Sequence, residues 1–273
     1  MSQSIHLVVI DPQQDFCNPN GSLYVPGAEN DMKRLGGMIQ RLGPKIADIH
    51  ITLDSHRKVD ISHPLWWKDS SGKRPDPFTI ITADDVTQGK WTTYLPSFFK
   101  RTKAYLEALE ATGRYPHVIW PEHCLIGDEG HNIVPELSAA VHEWEERFAS
   151  ADLITKGSNM WTEHFSGVKA EVPDPEDPST QVNTGLINTL EEADIILLSG
   201  EALSHCLLST VEDIAMHFSD PKYIGKMVLL QDACSVIPDP PGTTLFSDKV
   251  SDFLKDMQAK GMKLSTTEKF LAA

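Results

Sequence analysis

The chain has 273 residues, 40% of them hydrophobic, and a net charge of −15, which is apolar material enough for one large domain or two small ones. The acidic balance argues against DNA or RNA as a partner, because phosphates would be repelled, and no apolar run approaches the roughly 20 residues of a membrane span. Four widely spaced cysteines without a CxxC pair make neither a disulfide framework nor a zinc ribbon.

The opening MSQSIHLVVIDPQQ runs directly into a strand-like segment with no basic leader, so no signal peptide and a cytoplasmic location are expected. Six short aliphatic or β-branched runs then recur: IHLVVID (5–11), IADIHITLD (46–54), ADLITKG (151–157), ADIILLSG (193–200), MVLLQDA (227–233) and MKLSTT (262–267). They read as parallel strands buried on both faces. Stretches of helical period lie among them, NDMKRLGGMIQRLG (30–43), SAAVHEWEERF (138–148), ALSHCLLSTVEDIAMHF (202–218) and DKVSDFLKDMQAKG (248–261). The alternation predicts a doubly wound α/β fold: a mostly parallel six-stranded sheet with helices on both faces, Rossmann-like in its three layers, as a single domain over 1–273. Two segments interrupt it, one at about 60–119, rich in Trp, Pro and Gly with one helix near FFKRTKAYLEALEATG, the other at 171–183, EVPDPEDPSTQVN. Both read as insertions at the domain edge, either lids or, for the second, a plain surface loop. No GxGxxG follows the first strand, which argues against a dinucleotide site.

Open parallel sheets bind ligands at the carboxyl ends of their strands. The polar residues there are Asp11, then Asp54 and His56, then Lys156, with Cys206 just beyond the fourth run. Cys206 is expected in the first turn of a helix, where unpaired N–H groups and the positive dipole end lower a thiol pKa and can hold an oxyanion. The competing reading is a small buried hydrophobe, which is also the reading for Cys17, Cys124 and Cys234. Lys156 can stabilise a thiolate, and Asp11 can take the thiol proton and pass one to a leaving amine. His205 is adjacent to Cys206, but neighbouring side chains on a helix diverge by about 100°, so it is assigned to packing or support.

Asp54 and His56 lie two apart, so from an extended strand end both face one side. With His123, and with His63 or Asp60 as a possible fourth ligand, they can hold one divalent ion: zinc, iron or manganese. Plain surface polarity is the competing reading of such a pair. Trp66 and Trp67 either line the pocket or form the insertion's own core, the latter being favoured. Ser166 and Glu163 either brace the site or cap a helix.

Taken together, these residues resemble the isochorismatase-like cysteine hydrolases, and within them the nicotinamidases. VVIDPQQDFCNPNGSLYVPGAE is similar to the family's opening, which implies Asp11 as the catalytic aspartate and Phe16 as a ring-stacking residue. DSH resembles the metal-binding Asp-x-His, and WPEHC resembles the Trp-Pro-x-His-Cys signature, implying Trp120 against the substrate ring and His123 on the metal. TKG and GEALSHC resemble the catalytic lysine and the nucleophile turn, giving Lys156 and Cys206. The resemblance further implies an isochorismatase-like fold, a cis Glu201–Ala202 peptide, an oxyanion hole from the N–H groups of Ala202 and Cys206, and a divalent metal, with zinc ahead of iron and manganese. The implied activity is hydrolysis of a small amide, nicotinamide, to nicotinate and ammonia through a cysteine thioester, as in NAD salvage (pyridine nucleotide biosynthesis). A homo-oligomer is compatible with this. Three features depart from the family: Glu201 replaces an aliphatic residue, Asp60 stands near a usual histidine position with His63 three residues further on, and the 60–119 insertion is long. A metal-independent cysteine hydrolase of the same family, acting on another small amide or ureide, and a catalytically silent binding module remain as alternatives.

Overall fold

The computed structural model describes residues 3–147, 149–239 and 242–272. β1 (Ile5–Ile10) is buried at every position, as a strand must be when helices cover both faces of a parallel sheet. It leads into the single turn α1 (Gln14–Cys17), then α2 (Ala28–Leu42), whose Met32, Leu35, Ile39 and Leu42 form one buried stripe, and β2 (Ile46–Asp54). Next come β3 (Trp67–Lys68), α3 (Ala83–Thr87), β4 (Thr92–Thr93), α4 (Phe99–Thr112) and α5 (Pro135–Glu145). The remainder alternates: β5 (Asp152–Lys156), α6 (Thr184–Glu192), β6 (Ile195–Gly200), α7 (Cys206–His217), β7 (Met227–Leu230), α8 (Leu245–Ala259) and β8 (Lys263–Ser265).

All six runs expected as strands join one sheet in the order β5-β2-β1-β6-β7-β8, and every neighbouring pair is parallel. The expected α/β class is therefore the one found. Strands are laid down first toward β5, after which the chain returns to place β6 on the other side of β1. The switch point lies between the carboxyl ends of β1 and β6, where sheets of this kind bind ligands. Register aligns Ile10 with Gly200 and Asp54 with Lys156, which brings the functional strand ends level. Gly200 has φ +107, and a Cβ there would run into the backbone of Ile10, so only glycine fits.

The 60–119 segment has a core of its own. Trp66, Trp67, Ile61, Tyr105, Leu106 and Leu109 are buried together beside the antiparallel β3–β4 pair. Trp66 and Trp67 thus pack the insertion's own core. Asp174 of the second insertion accepts from Asn159 Nδ2 at 3.2 Å and pairs with Arg101, whose guanidinium lies 4.3 Å from the Trp161 ring.

Some boundaries differ from expectation. The helix expected over 202–218 starts only at Cys206, because residues 201–205 form the turn that leaves β6. The one expected over 138–148 runs Pro135–Glu145, and Phe148 lies outside the described residues. Among the described residues, no helix is long and apolar enough to cross a membrane.

Candidate active site

Lys156, the last residue of β5, is the hub of the site. Its buried Nζ lies 2.9 Å from Asp11 Oδ2, 3.0 Å from Asp54 Oδ1, 3.0 Å from the His164 carbonyl oxygen and 3.7 Å from Cys206 Sγ. Burial alone would lower the ammonium pKa, but Asp11 and Asp54 hold it well above its usual range. Gly157 follows at φ +82, and a Cβ there would stand 2.8 Å from Asp54 Oδ1. Glycine leaves the carboxylate its place.

Asp11 stands immediately beyond β1, fully buried and at φ +44. Its N–H donates to Thr52 Oγ1 at 3.0 Å, and the Thr52 hydroxyl donates to Asp11 Oδ1 at 2.6 Å. Burial raises the carboxyl pKa and Lys156 pulls it part of the way back. The result is a carboxylate with more proton affinity than an exposed one, which suits a base.

Cys206 opens α7, as expected, but its thiol is not depressed. Burial pushes its pKa well above the ordinary value; Lys156 pulls it down, whereas Asp11 and Asp54 push it further up. The helix start alone does not make a thiolate here, because desolvation outweighs the dipole. The proton must leave to a base, and Asp11, held on the same Lys156 ammonium as the thiol, is placed to take it. The Glu201–Ala202 peptide is cis. Among the described residues, the N–H groups of Ala202 and Cys206 donate to no protein acceptor, so both remain free for an oxyanion.

Asp54, His56 and His123 each bring one ligand atom within 4.8 Å of the others, and all three are buried. His56 Nε2 and His123 Nε2 approach the same oxygen, Asp54 Oδ2, at 3.1 and 3.4 Å. Their outer nitrogens are engaged as well: His56 Nδ1 lies 3.2 Å from Asp60 Oδ2, and His123 Nδ1 lies 2.8 Å from the Pro121 carbonyl oxygen. A carboxylate or carbonyl behind each imidazole is how metal-ligating histidines are oriented. Two imidazoles and one carboxylate suit zinc, iron or manganese with positions left open, so these residues fit a divalent cation.

The two candidates for a fourth ligand separate. Asp60 is occupied by His56 Nδ1 and by the N–H and hydroxyl of Ser62, at 2.9 and 2.8 Å, so it orients His56. His63 faces the group, with ring centroids 5.1 Å from His56 and 5.4 Å from His123, and neither of its nitrogens has a well-formed hydrogen bond. Burial pushes its imidazole down to about 3, leaving it neutral with lone pair intact.

A slot of about 380 Å³, counting its open mouth, reaches Cys206, Ala202, Asp54 and His123. Phe16 and Trp120, both expected against a substrate ring, line it, and Phe16 meets His123 edge-on at 5.5 Å. His205 packs as expected, stacked 5.4 Å from Tyr115, and also forms part of the wall. Ser166 stays within its own loop, its Oγ accepting from Val168 N at 3.0 Å. Neither insertion lines the slot, although Phe78 of the first meets Trp120 edge-on at 6.0 Å. Cys17, Cys124 and Cys234 are buried, in keeping with packing roles. One contributor escaped the sequence reading, Gln13, which holds the backbone of Asp54; Glu163, read as a brace or a helix cap, lines the slot and holds Trp120 by accepting from its Nε1 at 3.2 Å. Gln13 stood in plain view in the DPQQDF turn after the first strand.

No protein-family model matches the chain, and no curated protein matches it. Solved structures do. A yeast nicotinamidase bound to the inhibitor nicotinaldehyde superposes with TM-score 0.64 at 18% identity, over 96% of this chain and 99% of that one. An Acinetobacter baumannii nicotinamidase/pyrazinamidase gives 0.63 at 22% identity, over 98% and 99%. A Pyrococcus horikoshii pyrazinamidase in complex with zinc gives 0.56 at 20% identity, over 96% and 99%. At these identities the likeness establishes a shared fold.

Proposed function

We infer, for a chain that shares its fold with these amidases, that it is an isochorismatase-like cysteine hydrolase of the nicotinamidase kind, one domain over its whole length, acting on a small aromatic amide. The observation that carries the reading is the four-way contact at Lys156 Nζ. One ammonium joins the base Asp11, the nucleophile Cys206 and the ligand Asp54 within 3.7 Å.

In the hydrolysis proposed, Asp11 accepts the Cys206 proton as Sγ attacks the carboxamide carbon, and the Lys156 ammonium stabilises the sulfur charge as it forms. The N–H groups of Ala202 and Cys206 hold the oxygen that becomes negative. Asp11 returns the proton to nitrogen, the C–N bond breaks, and ammonia leaves a thioester. Asp11 then takes a proton from water, whose oxygen attacks the thioester carbon, and Sγ leaves to regain its proton as the acid is released. Phe16 and Trp120 hold the ring. A divalent metal bound by Asp54, His56 and His123, with His63 able to complete the set, supplies a Lewis-acid anchor for a ring nitrogen or a water. Zinc is the ion we favour, with iron and manganese as alternatives, and NAD salvage in the cytoplasm is the setting.

The test is ammonia release from nicotinamide by zinc-loaded protein, beside Cys206→Ala and a chelated sample. Release lost in both controls supports the full reading. Release that survives chelation points to the metal-independent alternative, and none from any small amide removes the hydrolase reading.

A further inference from the structure

The slot has two polar wall groups that the proposed hydrolysis does not use, His205, whose Nδ1 is taken up by the Ser204 hydroxyl at 2.9 Å, and Glu163. Asp54, His123 and Cys206 belong to the chemistry, and Phe16, Trp120 and Phe165 to the ring walls, whereas Glu163 enters the slot with no catalytic task. Both contacts made to its carboxyl group come from N–H donors: Trp120 Nε1 to Oε2 at 3.2 Å and His164 N to Oε1 at 3.3 Å. Donors on both oxygens cast the group as an acceptor, and each oxygen retains a further lone pair.

No lysine or arginine lines the slot, and among the described residues the carboxylate makes no ion pair. Burial pushes its pKa up to about 7, with His56 pulling it back and Asp60 and Asp54 adding to the rise. Glu163 also sits at the N–H edge of Trp120, the ring expected to cover the substrate face. A ring held against Trp120 shares the slot with the Glu163 carboxyl group.

We propose that Glu163 is a specificity-determining residue, selecting aromatic amides that carry an N–H donor on the ring, which its carboxyl group accepts while Trp120 covers the ring face. This rests on the reading of the site as one for small aromatic amides. Unsubstituted nicotinamide is then a poorer member of the preferred class, because it leaves the acceptor unfilled.

The experiment uses zinc-loaded Cys206→Ala, which binds without turnover, and calorimetry with nicotinamide and with the amino-substituted nicotinamides at each free ring carbon. At least one amino isomer is expected to bind ~10- to ~100-fold more tightly than nicotinamide, the range for a hydrogen bond to a charged group. Adding Glu163→Leu should reduce that advantage to less than about threefold, and adding Glu163→Gln, which keeps the shape but removes the charge, should also reduce it. Melting curves establish that the variants fold. No favoured isomer, no binding by any isomer, or a preference that survives both substitutions overturns the proposal. Failure of the hydrolase reading shows separately, as absence of ammonia from nicotinamide and every isomer in the unmutated protein while the binding preference stands.

Discussion

Gln13 grips both backbone groups of Asp54: its Oε1 accepts the Asp54 N–H at 2.7 Å and its Nε2 donates to the Asp54 carbonyl oxygen at 2.7 Å. The same Nε2 donates to the His131 carbonyl oxygen at 3.0 Å, tying the end of β2 to the loop that follows His123. Gln13 touches neither nucleophile nor slot. It fixes where a metal-ligating carboxylate starts. Gln13→Ala is expected to weaken zinc binding ~10- to ~100-fold, as loss of outer support for metal ligands does. Competition with a chromophoric chelator reads this directly, and unchanged affinity would refute it.

Asp11→Asn keeps the shape of the side chain and its place beside Lys156 but cannot take a proton. Because the Cys206 thiol is held protonated by burial, the loss should fall on turnover. A drop in kcat of ~10²- to ~10⁴-fold is expected, with nicotinamide affinity, measured on the zinc-loaded variant, changed far less. A variant retaining most of its turnover would remove Asp11 from its role.

His63→Leu should have opposite effects with and without metal. In metal-free protein it removes two poorly bonded buried nitrogens, each costing about 1–3 kcal/mol when left unsatisfied, so the melting temperature should rise. If His63 completes the metal set, added zinc should then raise the melting temperature of the variant less than that of the parent. An unchanged zinc increment would exclude His63 as a ligand.

Burial pushes the Glu171 carboxyl up to about 7 from 4.5, with Arg114 pulling it partly back. The folded state therefore holds this proton more tightly than the unfolded chain does. Its contribution to stability is complete below pH 4.5 and is lost as pH rises through about 7. Glu171→Gln avoids the loss, and Arg114 keeps Glu212 and Asp213, each at 3.2 Å. The variant should melt several degrees higher than the parent at about pH 8, from a difference on the order of 3 kcal/mol, and equally at about pH 4.5. Glu163, also raised to about 7, keeps part of the decline in place. Parallel melting curves at all pH values would contradict the assignment.

The inner strands β1, β2, β6 and β7 were legible because each is a compact apolar run largely buried from both sides, whereas the edge strands β5 and β8, expected to be buried as well, are largely exposed or half-buried; the groups after the strands follow from where such sheets bind ligands. Asp11, Asp54, Lys156 and Cys206 could be collected on that basis alone. α6 was not anticipated, although Leu186, Ile187 and Leu190 face inward at helical spacing and Asn183 caps it by accepting from Leu186 N at 3.0 Å. Its Thr-Gly opening after a proline-rich stretch masked the pattern. The protonation of Cys206 was not legible, because it depends on burial and on carboxylates from two other strand ends. Gln13 meets Asp54 across 41 positions of sequence, a contact that periodicity does not report.

β5 pairs with β2 alone, at the margin of the sheet, and most of its length is exposed before it reaches Lys156. Strands held on one side are the first to fray. Yet this one carries the ammonium on which base, nucleophile and ligand converge. Gentle warming or mild denaturant should therefore silence the site while the helices and inner strands persist, so that function fails before the fold does.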